Sequence, residues 1–152
     1  PVVARGRIFV AGRSDGRGAV ACLSGKGEVL WLRPVPLDGA TASLLPYERG
    51  VLATDVRGGA VRLLPDGDTA WVTGGLDEAL AQRLAPTLAK GALVVPGSSV
   101  RLIEPQSGRL LASTPREPDL TDYAVGRGLT IFTYVEAGAL TCFEPGAVFA
   151  VV

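Results

Sequence analysis

The chain has 152 residues, of which 47% are hydrophobic and 20% are charged, a balance typical of one globular domain with a sizeable core. Its 15 basic and 15 acidic residues cancel, which excludes a general electrostatic attraction to nucleic acid or anionic lipid. The absence of histidine excludes a histidine base, and two cysteines argue against a disulfide framework or a Cys/His zinc site. No apolar run approaches the roughly 20 residues of a membrane span.

The chain begins at Pro1 and already reads as a strand, so we expect it to be a processed or excised piece of a longer protein. Its 20 glycines and 11 prolines favour many short strands joined by turns over helices.

Two markers recur four times along the sequence. The first is a basic residue followed by glycine: Arg5-Gly6, Arg49-Gly50, Lys90-Gly91 and Arg127-Gly128. The second is a later glycine: Gly27, Gly67, Gly108 and Gly146. Both markers indicate a repeat of about 40 residues, in the range of propeller blades. We therefore predict a single domain over residues 1–152, with blades at 1–37, 38–80, 81–117 and 118–152.

Each repeat contains four short runs rich in Val, Leu, Ile and Phe and bounded by turn residues, which predicts four strands. In the first repeat these runs are residues 2–3, 7–10, 19–23 and 28–32. The stretch from Arg13 to Gly18 is predicted to be the longest loop between a second and a third strand. The leucine spacing from Leu76 to Leu84 predicts a short helical insert.

Two repeats end in a glycine–tryptophan segment: Gly27 to Trp31 and Gly67 to Trp71. The other two place Ala112 and Ala150 at the tryptophan position. This pattern resembles the repeat of the PQQ-like, or quinoprotein-dehydrogenase-like, β-propeller family, which includes a non-enzymatic outer-membrane assembly lipoprotein. We interpret both tryptophans as packing residues between blades, each with its indole N–H hydrogen-bonded.

The resemblance implies an all-β propeller with four blades of four antiparallel strands. Members of this family usually have seven or eight blades, so we expect four blades to be part of a larger ring, completed by another chain or by further sequence. A closed four-bladed ring is the alternative. An open fragment would leave exposed sheet faces at both ends.

Function concentrates in loops held by rigid scaffolds, and the longer loops are predicted on the face that carries the turns between second and third strands. The predicted partner-binding residues are Arg13, Asp15, Arg17, Arg57, Asp119 and Glu136. The four basic residues of the first marker are predicted on the opposite face, paired there with acidic residues of the turns between third and fourth strands.

No catalytic or metal-binding constellation is predicted. Cys22 and Cys142 align with Leu63 and Leu102, which suggests small core residues rather than a disulfide. Two segments contain aspartate next to glycine, Asp15 to Gly18 and Asp66 to Asp68. Neither has the ligand spacing of a calcium loop, so we interpret both as turns.

The leading hypothesis is a non-catalytic propeller scaffold that needs no cofactor and presents loops to a protein or peptide partner. Self-association that completes the ring is a further expectation. The alternatives are a fragment of a quinone- and calcium-dependent dehydrogenase, or a sensor domain of a larger bacterial signalling protein. The resemblance favours a periplasmic or other extracytoplasmic location, and a cytoplasmic one remains open.

Overall fold

The computed structural model describes residues 1–37, 41–74, 84–97, 99–114, 120–135, 138, 140–144 and 147–151. Within these residues the chain forms four antiparallel sheets, each with four strands in the order of the sequence. This arrangement confirms the predicted all-β class with four blades of four antiparallel strands. We number the sheets as blades 1 to 4 in chain order.

Blade 1 consists of β1 (Val2–Ala4), β2 (Arg7–Ser14), β3 (Arg17–Ser24) and β4 (Val29–Pro34). Blade 2 consists of β5 (Thr41–Tyr47), β6 (Gly50–Asp55), β7 (Ala60–Leu63) and β8 (Thr69–Thr73). Blade 3 consists of β9 (Thr87–Ala89), β10 (Ala92–Val95), β11 (Arg101–Ile103) and β12 (Leu110–Ser113). Blade 4 consists of β13 (Leu120–Val125), a short 3₁₀ helix η1 (Arg127–Leu129), β14 (Ile131–Val135), β15 (Leu140–Glu144) and β16 (Ala147–Val151). The helix predicted from Leu76 to Leu84 lies, except for its last residue, outside the described residues.

The register between third and fourth strands is interrupted in blades 1 to 3, at Cys22/Leu23, Arg62/Leu63 and Leu102/Ile103. Trp31 pairs with Cys22, and Trp71 pairs with Arg62. Cys22 therefore occupies the position of Arg62, and its predicted equivalence to Leu63 is wrong by one residue. Because successive side chains of a strand point to opposite faces, this shift changes which neighbouring blade the position faces.

The same register identifies the residues that replace tryptophan in the last two blades. Ala112 holds the position of Trp31 and Trp71 in blade 3, as predicted. In blade 4 the position belongs to Phe149, whereas the sequence predicted Ala150.

Each tryptophan joins its blade to the next one. Trp31 Nε1 donates a hydrogen bond of 2.9 Å to the Pro65 carbonyl oxygen. A Cβ atom added at Gly67 would lie 2.9 Å from Cδ2 of Trp31, so only glycine lets the turn approach the ring this closely. The contact repeats one blade further on with Trp71, Pro105 and Gly108. We call this proline carbonyl and glycine, in the turn between third and fourth strands, a tryptophan socket.

In the part of the chain that the structure describes, three apolar clusters hold consecutive blades together. The cluster between blades 1 and 2 includes Phe9, Val20, Val51 and Leu63. The cluster between blades 2 and 3 includes Leu52, Leu93 and Ile103. The cluster between blades 3 and 4 includes Val94, Leu102, Ile131 and Phe143. Among the described residues no such cluster joins blade 4 to blade 1, so the four blades form an open arc.

Candidate binding edge

The turns between second and third strands lie along one edge of the arc, which we call the loop edge. β2 and β3 remain paired as far as Ser14 and Arg17, and only Asp15 and Gly16 form the turn between them. The φ angles of these two residues are 52° and 77°, the left-handed pair typical of an Asp-Gly hairpin turn. The predicted long loop from Arg13 to Gly18 is therefore wrong, because most of its residues extend the two strands.

The tip of this hairpin is charged and exposed. Arg13, Asp15 and Arg17 all face solvent, and Ser14 Oγ lies 3.4 Å from Asp15 Oδ2 as a hydrogen-bond donor. Phe9, which lies in β2 four residues before Arg13, is fully buried against blade 2. The hairpin thus presents charged side chains at its tip, while the part of it that lies away from the tip is buried against blade 2.

In blade 2 the loop between β6 and β7 is organised by a buried carboxylate. Asp55 is fully buried, and its Oδ1 accepts hydrogen bonds from the backbone N–H groups of Arg57 (2.9 Å) and Gly59 (2.6 Å). The Asp55 carbonyl also accepts a hydrogen bond from the N–H of Gly58. These bonds hold the loop as a closed Asx-type turn with the Arg57 side chain exposed.

Arg101 of blade 3 fastens this loop to the next blade. Its guanidinium donates to the carbonyl oxygen of Gly58 and, over 3.0 Å, to that of Gly74. Burial lowers the pKa of Arg101, and the nearby carboxylate of Asp55 partly offsets this shift. An arginine retains its charge through such a shift, so the guanidinium remains a charged anchor between the two blades.

The structure describes four of the six predicted partner-binding residues, and all four are exposed on the loop edge: Arg13, Asp15, Arg17 and Arg57. The first three share the blade 1 hairpin, and the fourth lies on the neighbouring blade. The other two, Asp119 and Glu136, lie outside the described residues. Partner binding by any of them stays a prediction.

The basic residues of the repeats lie on the opposite edge. Arg5 and Lys90 occupy the first position of two-residue turns, with φ angles of 47° and 51°. In blade 2 the first position belongs to Glu48, with a φ of 52°, so Arg49 falls one position later. Arg127 begins η1. The glycine-based alignment is therefore shifted by one residue in the second repeat.

We expected these basic residues to pair with acidic residues of the turns between third and fourth strands. In the part of the chain that the structure describes, the ion pairs join Arg62 to Glu48 at 2.6 Å and Arg109 to Glu104 at 3.5 Å. Neither pair contains a basic residue of the first marker, so the expected pairing is not found there.

Arg62 is a residue that the sequence analysis missed. It is only 8% exposed, and its Nη1 donates to both the carbonyl and the side-chain oxygen of Gln106 in blade 3, at 3.0 and 2.9 Å. Its Nη2 bonds Glu48, and its guanidinium lies 5.0 Å from the ring centroid of Tyr47. The sequence feature that could have identified it is a single arginine within the otherwise apolar segment from Ala60 to Leu63.

An open groove of about 370 Å³ lies beside this network, between the first turns of blades 1 and 2. Its lining includes Arg5, Glu48, Arg49 and Arg62. Because Glu48 neutralises Arg62, the positive charge of the groove comes from Arg5 and Arg49.

Cys22 and Cys142 are free thiols in different blades. Cys22 is fully buried, which confirms its predicted role in the core. Burial raises the pKa of the Cys22 thiol above its ordinary value, and Arg7 partly opposes this shift. Within the described ranges no three His, Cys, Asp or Glu side chains form a group that could hold a metal ion. No helix in those ranges is long and apolar enough to cross a membrane.

Neither a protein-family model nor the sequence of a curated protein matches this chain. Several solved structures share its fold. BamB from Moraxella catarrhalis has a TM-score of 0.65 at 14% identity, over 97% of this chain and 45% of BamB. The computationally designed protein Ika8 has a TM-score of 0.67 at 13% identity, over 94% of this chain and 44% of Ika8. The designed protein Ika4 has a TM-score of 0.64 at 13% identity, over 93% of this chain and 87% of Ika4.

These likenesses concern the fold alone, because the sequence identities are low. The chain spans less than half the length of BamB and of Ika8. Its four blades correspond to about half of the BamB propeller, and their arc is open. The chain is therefore a propeller fragment, as expected, rather than a closed four-bladed ring.

Proposed function

We propose that this chain is a non-catalytic scaffold of the PQQ-like propeller type, which binds a protein or peptide partner at its loop edge. The repeat pattern and the structural likeness to BamB support the family, and the loop edge supports a binding role. The blade 1 hairpin would provide the principal contact surface.

The observation that carries the proposal is the charged tip of that hairpin. Arg13 and Arg17 are exposed on paired strands, next to a turn of only two residues. Little conformational entropy is lost when a partner binds side chains whose backbone is already ordered. The Asp55 turn and its Arg101 anchor order the adjacent loop in the same way.

The test uses a photocrosslinking amino acid at Arg17, with the same amino acid at Lys90 as the matched control. Both are exposed basic residues at two-residue turns, Arg17 directly after one and Lys90 within one, but they lie on opposite edges. In cells that produce the protein, we expect a discrete heterologous adduct from position 17 and none from position 90. Reversing the charge of Arg13 and Arg57 should reduce the adduct from position 17 at least about tenfold, since charge pairs steer association.

Equal adducts from both positions would contradict the proposal, as would an adduct from position 17 that is insensitive to charge reversal, or the absence of any adduct there. The dehydrogenase alternative has its own test. A saturable rise in melting temperature with pyrroloquinoline quinone and calcium ions together, but with neither alone, would replace the scaffold proposal by a cofactor-binding one.

A further inference from the structure

The two ends of the arc present faces that are blade interfaces elsewhere in the same molecule. Along β2 and β3, the face of blade 1 that points away from blade 2 carries Ile8, Val10, Ala21 and Leu23. By register these residues are equivalent to four residues of blade 2 that are at most 1% exposed against blade 1: Val51, Ala53, Val61 and Leu63. In blade 1, Val10 is 37% exposed and the other three are half-buried. This face has the composition of a blade interface, and no apolar cluster of the described residues joins it to another blade.

In blade 1 the turn at Gly27 is equivalent to the tryptophan sockets, with Gly25 in place of the proline. The turn at Gly27 repeats the backbone hydrogen bonds of the turn at Gly67: the glycine N–H donates to the carbonyl of Ser24 or Leu64, over 2.9 and 3.0 Å. A Cβ atom added at Gly67 would meet Trp31, whereas one added at Gly27 would meet nothing within 4 Å. Among the described residues, no side chain takes the place beside Gly27 that Trp31 takes beside Gly67.

At the other end of the arc, blade 4 exposes aromatic residues that could pack on the open face of blade 1. In blade 4, Phe132 is 37% exposed and Tyr134 is 45% exposed on the face that points away from blade 3. The residue equivalent to Phe132 in blade 3 is Val94, which is fully buried against blade 4. Phe149 holds the register position that the socket-filling tryptophans hold in blades 1 and 2.

We propose that two copies of this chain associate head to tail, with the open face of blade 4 in each copy packed on the open face of blade 1 in the other. Two copies would supply eight blades, and each copy alone corresponds to 45% of BamB and 44% of Ika8. A twofold rotation satisfies both junctions at once, so the head-to-tail contact closes and leaves no open end. The chain carries no net charge that would keep two copies apart. The inference does not depend on the proposed partner at the loop edge.

The oligomeric state of the 152-residue chain tests the inference. At about 100 µM protein we expect a mass twice the 15.7 kDa of one chain by light scattering and sedimentation equilibrium. Val10→Asp should reduce this mass to that of a monomer. Val56→Asp is the matched control, because Val56 is equally exposed at 37% but lies in the β6–β7 loop, and it should leave the dimer intact. Circular dichroism melts establish that each variant is folded.

A complementation experiment tests the head-to-tail geometry. Phe132→Asp should also be monomeric alone, because it damages the opposite end of the arc. An equimolar mixture of Val10→Asp and Phe132→Asp retains one undamaged junction, and it should form a heterodimer weaker than the wild-type dimer. If either variant dimerises alone, the contact joins like ends and the inference is wrong. A monomeric wild type at this concentration, or open polymers, would also overturn it.

Cys142 provides a second readout within the same interface. It is partly exposed in the single chain and pairs with Phe132 on the open face of blade 4. In a Cys22→Ala background, alkylation of Cys142 should be slow at high protein concentration and should accelerate at least about fivefold on dilution into monomer. A rate independent of protein concentration in a sample that is dimeric before dilution would show that the interface lies elsewhere.

Discussion

At two of the blade junctions, the tryptophan sockets add contacts that depend on the position of single atoms. Trp31 has an indole N–H that needs an acceptor once it is buried, and the Pro65 carbonyl provides one 2.9 Å away. Gly67 lets the turn that bears this carbonyl lie against the ring. One glycine thus allows both the hydrogen bond and the packing of a large side chain across the blade junction.

This residue-scale argument predicts that Gly67→Ala is more destabilising than Gly16→Ala. Both glycines have positive φ angles, 91° and 77°, so each substitution costs about 1–2 kcal/mol of backbone strain. At Gly67 the added Cβ would also lie 2.9 Å from the Trp31 ring, which adds about 1–3 kcal/mol of overpacking. Urea denaturation of both variants measures the difference. Equal losses in the free energy of unfolding would mean that the Trp31 ring can move away at no cost, and that its close contact with Gly67 does not contribute to stability.

At the scale of elements, blades 1 and 2 share one strand plan and differ in the connections between their second and third strands. The blade 1 hairpin continues its pairing to a two-residue turn. The blade 2 loop closes on a buried carboxylate and is fixed to Arg101 of the next blade. Both devices hold exposed arginines at defined positions on the loop edge, one by strand pairing and the other by side-chain hydrogen bonds.

The blade 2 loop should therefore depend strongly on Asp55. Asp55→Ala leaves the N–H groups of Arg57 and Gly59 without their acceptor, and we expect it to lower the free energy of unfolding by about 2–4 kcal/mol. Asp66 is the matched control, because its Oδ1 accepts the N–H of Asp68 at an exposed turn. Asp66→Ala should cost less than about 1 kcal/mol, since water replaces the lost bond.

Thermal and urea unfolding compare these variants, with Asp55→Asn as the variant that keeps an acceptor but loses the charge facing Arg101. It should fall between the wild type and Asp55→Ala. If Asp55→Ala and Asp66→Ala cost the same, the buried carboxylate does not organise the loop.

At the scale of the whole molecule, burial rises from the ends of the arc toward its middle. All six residues of β6 and all four of β10 are buried, whereas in β2, the equivalent strand of blade 1, Phe9 is the only buried residue of eight. The middle blades are covered on both faces, and the end blades on one. Local stability should follow this distribution, because segments with fewer buried contacts open at lower free energy.

Amide hydrogen exchange tests this distribution in the monomeric Phe132→Asp variant. Peptides that cover β6 and β10 should exchange at least about tenfold more slowly than those that cover β2. In the wild-type dimer both faces of blade 1 would be covered, so the difference should become smaller. Faster exchange in β6 than in β2 of the monomer would contradict the burial gradient.

Much of the fold could be predicted from local sequence, because strands and turns are chosen by neighbouring residues. The Asp15-Gly16 pair illustrates where this reasoning failed: the residues were read as part of a loop, although they form the tight turn that lets the strands continue. Local sequence also failed to identify the role of Arg62, because its partners Glu48 and Gln106 lie in turns that are distant from it in sequence. Neither strand length nor an ion pair is encoded in the repeat period.

The sequence by itself determined the all-β class, the four repeats and their strand order, because short apolar runs between turn residues suffice to specify strands. Only the tertiary structure decided which face each side chain occupies. A bulge in β4 adds Leu30 opposite the step from Cys22 to Leu23, so Trp31 and Val29, two residues apart, lie on opposite faces of the sheet. The packing between blades also decided that Gly67 contacts the Trp31 ring, whereas Gly27, in an equivalent turn, has no ring against it. This difference depends on whether another blade packs against the turn.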